Sequence, residues 1–163
     1  MTASLPLWPQ LPNLAEALSA RGWLIATAES CTGGLIAASC TELAGSSAWF
    51  DRGVVTYSNE AKTEWLGVPP ELIATHGAVS EPVAQAMVAG VLQRSRAQLA
   101  VAVTGIAGPS GGSPDKPVGT VWLAWATRGG AVEASCHRFE GDRAAVRWAT
   151  VAEALAGLLR LVP

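Results

Sequence analysis

The chain has 163 residues, half of them hydrophobic and 15% charged, a balance that supports a buried core and excludes intrinsic disorder. Its formal net charge of -2, with Lys and Arg scattered singly, excludes a protein that binds nucleic acid by neutralising phosphates. The longest apolar runs, such as Leu99 to Val103 and Val121 to Ala126, are strand-sized and far too short to span a bilayer.

The N-terminus lacks the charged start, apolar middle and small-residue cleavage site of a secretory signal, so a cytoplasmic protein is the expectation. Three cysteines without close pairing and two distant histidines fit neither a disulfide framework nor a zinc site. Neither a metal nor another cofactor is expected. Only Lys62 and Lys116 are lysines, against nine arginines. That bias is chance, or it marks a position needing an amine that can lose its proton, which Arg cannot do.

In chain order, Pro12-Asn13 opens a first helix with Asn13 as N-cap, and Arg21-Gly22 closes it. Trp23 to Ala28 reads as a buried strand leading through Glu29–Gly34 into a helix over 35–43. Phe50 to Tyr57 is a second strand with Gly53 as its bulge, followed by helices over 59–66 and from Pro69-Pro70 to His76. Ser80 caps a longer helix with Pro82 in its first turn and Val83, Met87, Val88, Val91 and Leu92 on its apolar face. Strands follow over 99–103, 118–126 and 132–139, the last two joined by a hairpin turn at Arg128-Gly129-Gly130. Asp142 caps a final helix whose Val151, Leu155, Leu158 and Leu159 face the core. Helices alternating with strands, then one hairpin, predict a single α/β domain over 1–163 with a mixed, mostly parallel sheet covered on both faces.

Four segments carry candidate chemistry. Ala28-Glu29-Ser30-Cys31-Thr32-Gly33-Gly34 is a tight strand-to-helix turn, the place where an α/β sheet offers free backbone N–H groups to a ligand or oxyanion. Ser30 or Thr32 there is a nucleophile or simply a helix cap, and Cys31 is a competing nucleophile or a packed thiol. The run Thr104 to Ser113 follows a strand and contains Gly105, Gly108, Gly111 and Gly112, which suit an anion nest or a surface loop. Val55 to Lys62 places the only tyrosine, Tyr57, five residues before Lys62. In Gly141-Asp142-Arg143, an arginine at a helix N-terminus opposes the macrodipole unless an anion or a neighbouring carboxylate (Asp142 or Glu140) compensates; Arg147 follows one turn later.

Together and in this order the stretches AESCTGG (28–34), TYSNEAK (56–62), HGAVSE (76–81), TGIAGPSGG (104–112), KPVGTVW (116–122) and GDR (141–143) resemble the CinA C-terminal family. The resemblance runs over roughly residues 11 to 160. Stand-alone members of that family are nicotinamide-nucleotide amidohydrolases, which implies hydrolysis of the carboxamide of nicotinamide mononucleotide. It also implies a three-layer α/β/α sandwich with a five-stranded mixed sheet, one strand antiparallel. By the same resemblance Ser30 is the nucleophile, Lys62 its base, and Tyr57, Thr104 and Arg143 are site residues. A dimer is the family expectation, and the amino-terminal domain of longer members, with its metal requirement, is expected to be absent.

On this reading Thr32, Gly33 and Gly34 supply oxyanion donors, while Thr104 and the glycines of 105–112 contact the nucleotide. The phosphate lies against Arg143 or the glycine loop, and Tyr57 stacks on the cationic ring or bonds Lys62. Two alternatives remain: a non-catalytic nucleotide-binding module of the same fold, and an amidohydrolase of another small amide.

Overall fold

A computed structural model of the chain describes residue 5 and residues 7–163. The elements are α1 (Gln10–Arg21), β1 (Ile25–Glu29), α2 (Leu35–Thr41), β2 (Phe50–Val55), α3 (Asn59–Leu66), α4 (Pro70–His76), α5 (Glu81–Gln93), β3 (Leu99–Gly105), β4 (Thr120–Thr127), β5 (Val132–Arg138) and α6 (Arg143–Leu161). The five strands lie in the order β2-β1-β3-β4-β5. β1 pairs in parallel with β2 and β3, and β4 runs antiparallel to both β3 and β5. One strand is therefore reversed in an otherwise parallel sheet, and helices cover both faces.

The two faces of the sheet differ in side-chain size, which sets how each layer packs. Toward α1, α2 and α6 the strands present Ile25, Val101, Val103, Leu123 and Trp125. Toward α5 they present Ala26, Ala28, Ala100, Ala102, Ala124 and Ala126, a small-residue surface that lets this apolar helix lie close to the backbone. Helix α5 is buried along Val83, Met87, Val88, Val91 and Leu92, as its sequence periodicity predicts. On the other side α6 buries Val151, Leu155 and Leu158, with Leu159 packed at the edge of the same cluster.

Two local expectations are corrected. Helix α1 begins at Gln10, with Pro9 rather than Asn13 as its N-cap residue. Its buried stripe of Leu11, Leu14 and Leu18 starts ahead of Asn13, and Pro12 is tolerated because an N–H in the first turn has no intrahelical partner. The bulge in β2 lies at Asp51, skipped between the pairs Ile25–Phe50 and Ala26–Arg52, and not at Gly53. Gly53 instead permits close approach of α2: a Cβ there would sit 2.7 Å from the Ala37 Cβ and 2.8 Å from Thr27 Oγ1. Ser80 does occupy the N-cap of α5, but its hydroxyl donates to the Gly77 carbonyl (2.8 Å) and makes no cap bond.

Among the described residues, no helix is long and apolar enough to cross a membrane. The C-terminal ends of β1, β2 and β3 fall side by side, followed in each case by a turn that carries candidate site residues.

Candidate active site

Ser30 follows the last residue of β1, and its backbone N–H continues the sheet by donating to the Val103 carbonyl (3.1 Å). The Gly33 N–H donates back to the Ser30 carbonyl (3.0 Å), closing a four-residue turn before α2. Beneath the turn, the fully buried Glu29 accepts from Thr32 Oγ1 (2.7 Å), the Ile36 and Ala37 N–H groups (2.9 Å each) and, more weakly, Thr27 Oγ1 (3.3 Å). The carboxylate thus occupies the positive end of α2 and fixes the turn to it. From α6, Arg147 holds the turn's outer side, donating to the Cys31 (3.1 Å) and Thr32 (2.9 Å) carbonyls.

Lys62 reaches the same point from α3. The Ser58 side chain caps α3 by accepting from the Ala61 N–H (3.0 Å). Lys62 is 1% exposed, and its Nζ lies 3.1 Å from Ser30 Oγ. The amine also donates to the Thr56 carbonyl (2.9 Å), with the Tyr57 (3.4 Å) and Ser58 (3.5 Å) carbonyls nearby. Among the described residues it has no carboxylate partner. Burial therefore pushes its pKa below the usual lysine value, with the neighbouring Cys31 opposing. In the neutral amine, two N–H groups are held by backbone carbonyls, which leaves the lone pair facing the Ser30 hydroxyl. Burial pushes the Cys31 thiol the other way, up to about 11, so at neutral pH it is a protonated packing group.

A cleft of about 310 Å³ opens over this pair. Its walls include Tyr57, Thr104, Gly105, Gly108, Gly111 and Arg143, together with Asn59, Ala78, Val79, Ile106 and Ser110. The Thr104 hydroxyl donates to the Ala78 carbonyl (2.8 Å), tying the end of β3 to the loop before α5. Gly105 leaves no room for a side chain: a Cβ would lie 2.6 Å from Val121 Cγ2 and 3.1 Å from Cys31 Sγ. Arg143, the first residue of α6, donates to the Gly108 carbonyl (2.8 Å) and to the Tyr57 hydroxyl (2.9 Å). The Tyr57 phenol thus bonds Arg143 rather than Lys62; only its backbone carbonyl approaches the lysine. No carboxylate pairs with Arg143 or Arg147 among the described residues, so Asp142 and Glu140 do not neutralise Arg143. Asp142 instead caps α6, accepting from the Ala145 N–H (2.9 Å).

Not every residue singled out from sequence faces the cleft. Thr32 turns its hydroxyl to Glu29, Gly33 abuts Arg147, and Gly34 abuts Val55. Gly112 packs under Val118. Glu29 and Arg147, which shape the Ser30 turn, lie in candidate segments of the sequence but receive no role of their own there. The signals available were a carboxylate directly before the candidate nucleophile and an arginine one helical turn beyond Arg143. Among the described residues no group of three His, Cys, Asp or Glu side chains is placed to hold a metal ion.

Comparison with known proteins bears on this arrangement. The family model described as CinA C-terminal domain matches residues 11–162. The chain is 56% identical over 143 residues to the nicotinamide-nucleotide amidohydrolase PncC of Escherichia coli strain K12, covering 88% of this chain and 87% of that protein. It is 54% identical over 156 residues to the protein of the same name from Pseudomonas putida, covering 96% and 97%. Among solved structures, it superposes with a TM-score of 0.90 and 50% identity on the competence/damage inducible protein CihA of Agrobacterium tumefaciens, covering 98% of this chain and all of the other. A CinA superfamily protein from Klebsiella pneumoniae gives a TM-score of 0.91 at 44% identity, covering 97% and 98%. With the family model matching nearly its whole length, the chain belongs to the CinA C-terminal domain family.

Proposed function

We propose that this protein is a nicotinamide-nucleotide amidohydrolase that converts nicotinamide mononucleotide to nicotinate mononucleotide and ammonia, using Ser30 as nucleophile and Lys62 as its base. The observation that carries the mechanism is the 3.1 Å contact between Ser30 Oγ and the buried, carboxylate-free amine of Lys62. High identity to relatives that bear the amidohydrolase name supports the substrate.

Ser30 Oγ attacks the carboxamide carbon while its proton passes to Lys62 Nζ. Lys62 returns that proton to the departing nitrogen, which leaves as ammonia, and the acyl group stays on Ser30. Water then attacks the ester, loses a proton to Lys62, and Ser30 is released as the hydroxyl with nicotinate mononucleotide as product. The ring's positive charge withdraws electrons from the carbonyl. It also disfavours the Lys62 ammonium, so the bound substrate itself favours the base form.

Arg143 is the group best suited to the 5′-phosphate, since its guanidinium lines the cleft and has no carboxylate partner among the described residues. Tyr57 is 59% exposed beside it and offers a ring face at the cleft wall. Free thiols at Cys31, Cys40 and Cys136 suit a reducing compartment, which supports a cytoplasmic location.

The test is to incubate purified protein with nicotinamide mononucleotide and measure ammonia. Stoichiometric ammonia and nicotinate mononucleotide are expected. Binding of the nucleotide without ammonia release would overturn the enzymatic reading, and preference for an unphosphorylated amide would overturn the nucleotide one.

A further inference from the structure

Residues 106–119 join β3 to β4 as an arm beside the cleft. At its base the Ile106 N–H donates to the Thr120 carbonyl (2.9 Å), and the Gly119 N–H to the Ile106 carbonyl (2.8 Å). At its far end the Ser113 N–H donates to the Lys116 carbonyl (2.9 Å), and the Lys116 N–H to Ser113 Oγ (3.1 Å). The stretch between, 107–112, supplies Ala107, Gly108, Ser110 and Gly111 to the cleft wall. Its only hydrogen bond among the described residues is the one from Arg143 to the Gly108 carbonyl. A wall with so few backbone bonds takes its position from its anchors.

Lys116 is a second anchor. Its Nζ donates to the His76 carbonyl (2.8 Å), 40 residues away in sequence and at the end of α4. Gly77 makes room for the amine: a Cβ at this residue would lie 3.1 Å from Lys116 Nζ. The segment 77–80 forms the adjoining part of the cleft wall through Ala78 and Val79. It is fixed in turn by Thr104 Oγ1 on the Ala78 carbonyl (2.8 Å) and Ser80 Oγ on the Gly77 carbonyl (2.8 Å). Lys116 itself does not line the cleft. Arg143, the other anchor, is also the group proposed to take the phosphate, so Lys116 is the anchor that lies outside the binding surface.

We infer that Lys116 is a positioning residue for substrate binding: by tying the far end of the 106–119 arm to the α4–α5 connection, it holds two adjoining walls of the cleft in place for the nucleotide. A charged donor on a carbonyl is among the stronger single hydrogen bonds, and a wall fixed in advance avoids the ordering cost that a loose loop adds to binding. This gives a role to the KPVGTVW stretch (116–122) and to the second of the two lysines. It rests on the amidohydrolase reading above for the identity of the substrate. The competing role is a surface contact without effect on the cleft.

The two roles separate in steady-state kinetics on nicotinamide mononucleotide with Lys116→Met and Lys116→Arg, folding being verified by thermal unfolding. Loosening a binding wall acts on affinity, and Ser30 and Lys62 are untouched. KM is therefore expected to rise at least about fivefold in Lys116→Met, with kcat within about threefold of wild type. Lys116→Arg, which keeps a charged donor, falls between. A wild-type KM in Lys116→Met, or a loss confined to kcat, overturns the inference. A second measurement needs no substrate: the rate of cleavage within the arm by a broad-specificity protease, mapped by mass spectrometry. Cleavage at least about fivefold faster in Lys116→Met is expected, because a protease needs the arm to open locally. Equal rates overturn the inference. A wild-type protein that releases no ammonia while the cleavage rates still differ overturns the substrate reading alone.

Discussion

Lys62 Nζ lies 3.1 Å from Ser30 Oγ although the two residues are 32 apart in sequence. The parallel pairing of β1 and β2 ends at Glu29 and Val55, so the segments leaving the two strands emerge together, one as the Ser30 turn and the other as the start of α3. The lysine is buried there by its own backbone, which supplies acceptors but no negative charge. Ser30→Ala is accordingly expected to lower turnover by at least about a thousandfold while substrate affinity and folding stay near wild type. Cys31→Ala, removing a thiol already protonated at neutral pH, is expected to cost less than about tenfold. Ammonia release and nucleotide binding measured on both variants check this, and reversed effects would reassign the nucleophile.

The depressed pKa of Lys62 has consequences for both rate and stability. The amine must be neutral to accept a proton, so kcat/KM falls on the acid side as Lys62 becomes protonated. For stability, the unfolded chain binds the Lys62 proton up to its ordinary value of 10.5, whereas the folded chain gives it up earlier. Between the two values the unfolded state holds more protons, so stability rises with pH through that window. Below the folded value both states are charged, and the cost of burying the ammonium is fully present. Urea unfolding of wild type and Lys62→Met at several pH values is the check. The wild type is expected to gain on the variant as pH rises from neutral toward 10.5; parallel pH profiles would show that Lys62 is charged in the folded protein.

Arg143 bridges Gly108 and Tyr57 across the cleft with no carboxylate of its own among the described residues. If it takes the substrate phosphate, Arg143→Ala weakens the nucleotide by about 1.5 to 3 kcal/mol, read as a raised KM with kcat changed less. Free nicotinamide, lacking the phosphate and the ring charge, is expected to be a very poor substrate of wild type and insensitive to this substitution.

Glu29 is a buried anion whose partners are the start of α2 and the Thr32 hydroxyl. Glu29→Ala strands those donors and is expected to destabilise the protein by at least about 3 kcal/mol. Glu29→Gln keeps one acceptor and should cost less. Denaturant unfolding of the two variants measures this, and a Glu29→Ala protein as stable as wild type would show that water replaces the carboxylate.

The layers of the fold were legible because its elements carry local signals: the αL Gly22 ending α1, the Asp142 cap of α6 and the Arg128-Gly129-Gly130 turn stand where the sequence predicts them. The starts that were misplaced depend on packing. Leu11 extends the core stripe of α1 past Pro12, and the bulge residue Asp51 has its carboxylate held by Arg52 and by Arg96, which lies 45 residues on in the chain. In the candidate site, Ser30, Lys62, Tyr57, Thr104 and Arg143 stand around one cleft, as the family motifs imply. Glu29 and Arg147 were not legible as site residues, because their importance lies in which backbone groups they meet. The choice between Lys62 and Arg143 as partner of the Tyr57 hydroxyl depends likewise on a contact 86 residues away.

The most direct measurement of the Ser30–Lys62 proposal is the turnover number of Lys62→Arg on nicotinamide mononucleotide. A guanidinium keeps the charge but stays protonated at any working pH, and so cannot accept the Ser30 proton. The expected result is a fall in kcat of at least about a hundredfold, the low end for losing a general base. Because Lys62 is almost wholly buried, folding of the variant is verified by thermal unfolding alongside. A folded Lys62→Arg enzyme with near wild-type turnover would leave Ser30 without its base and contradict the mechanism.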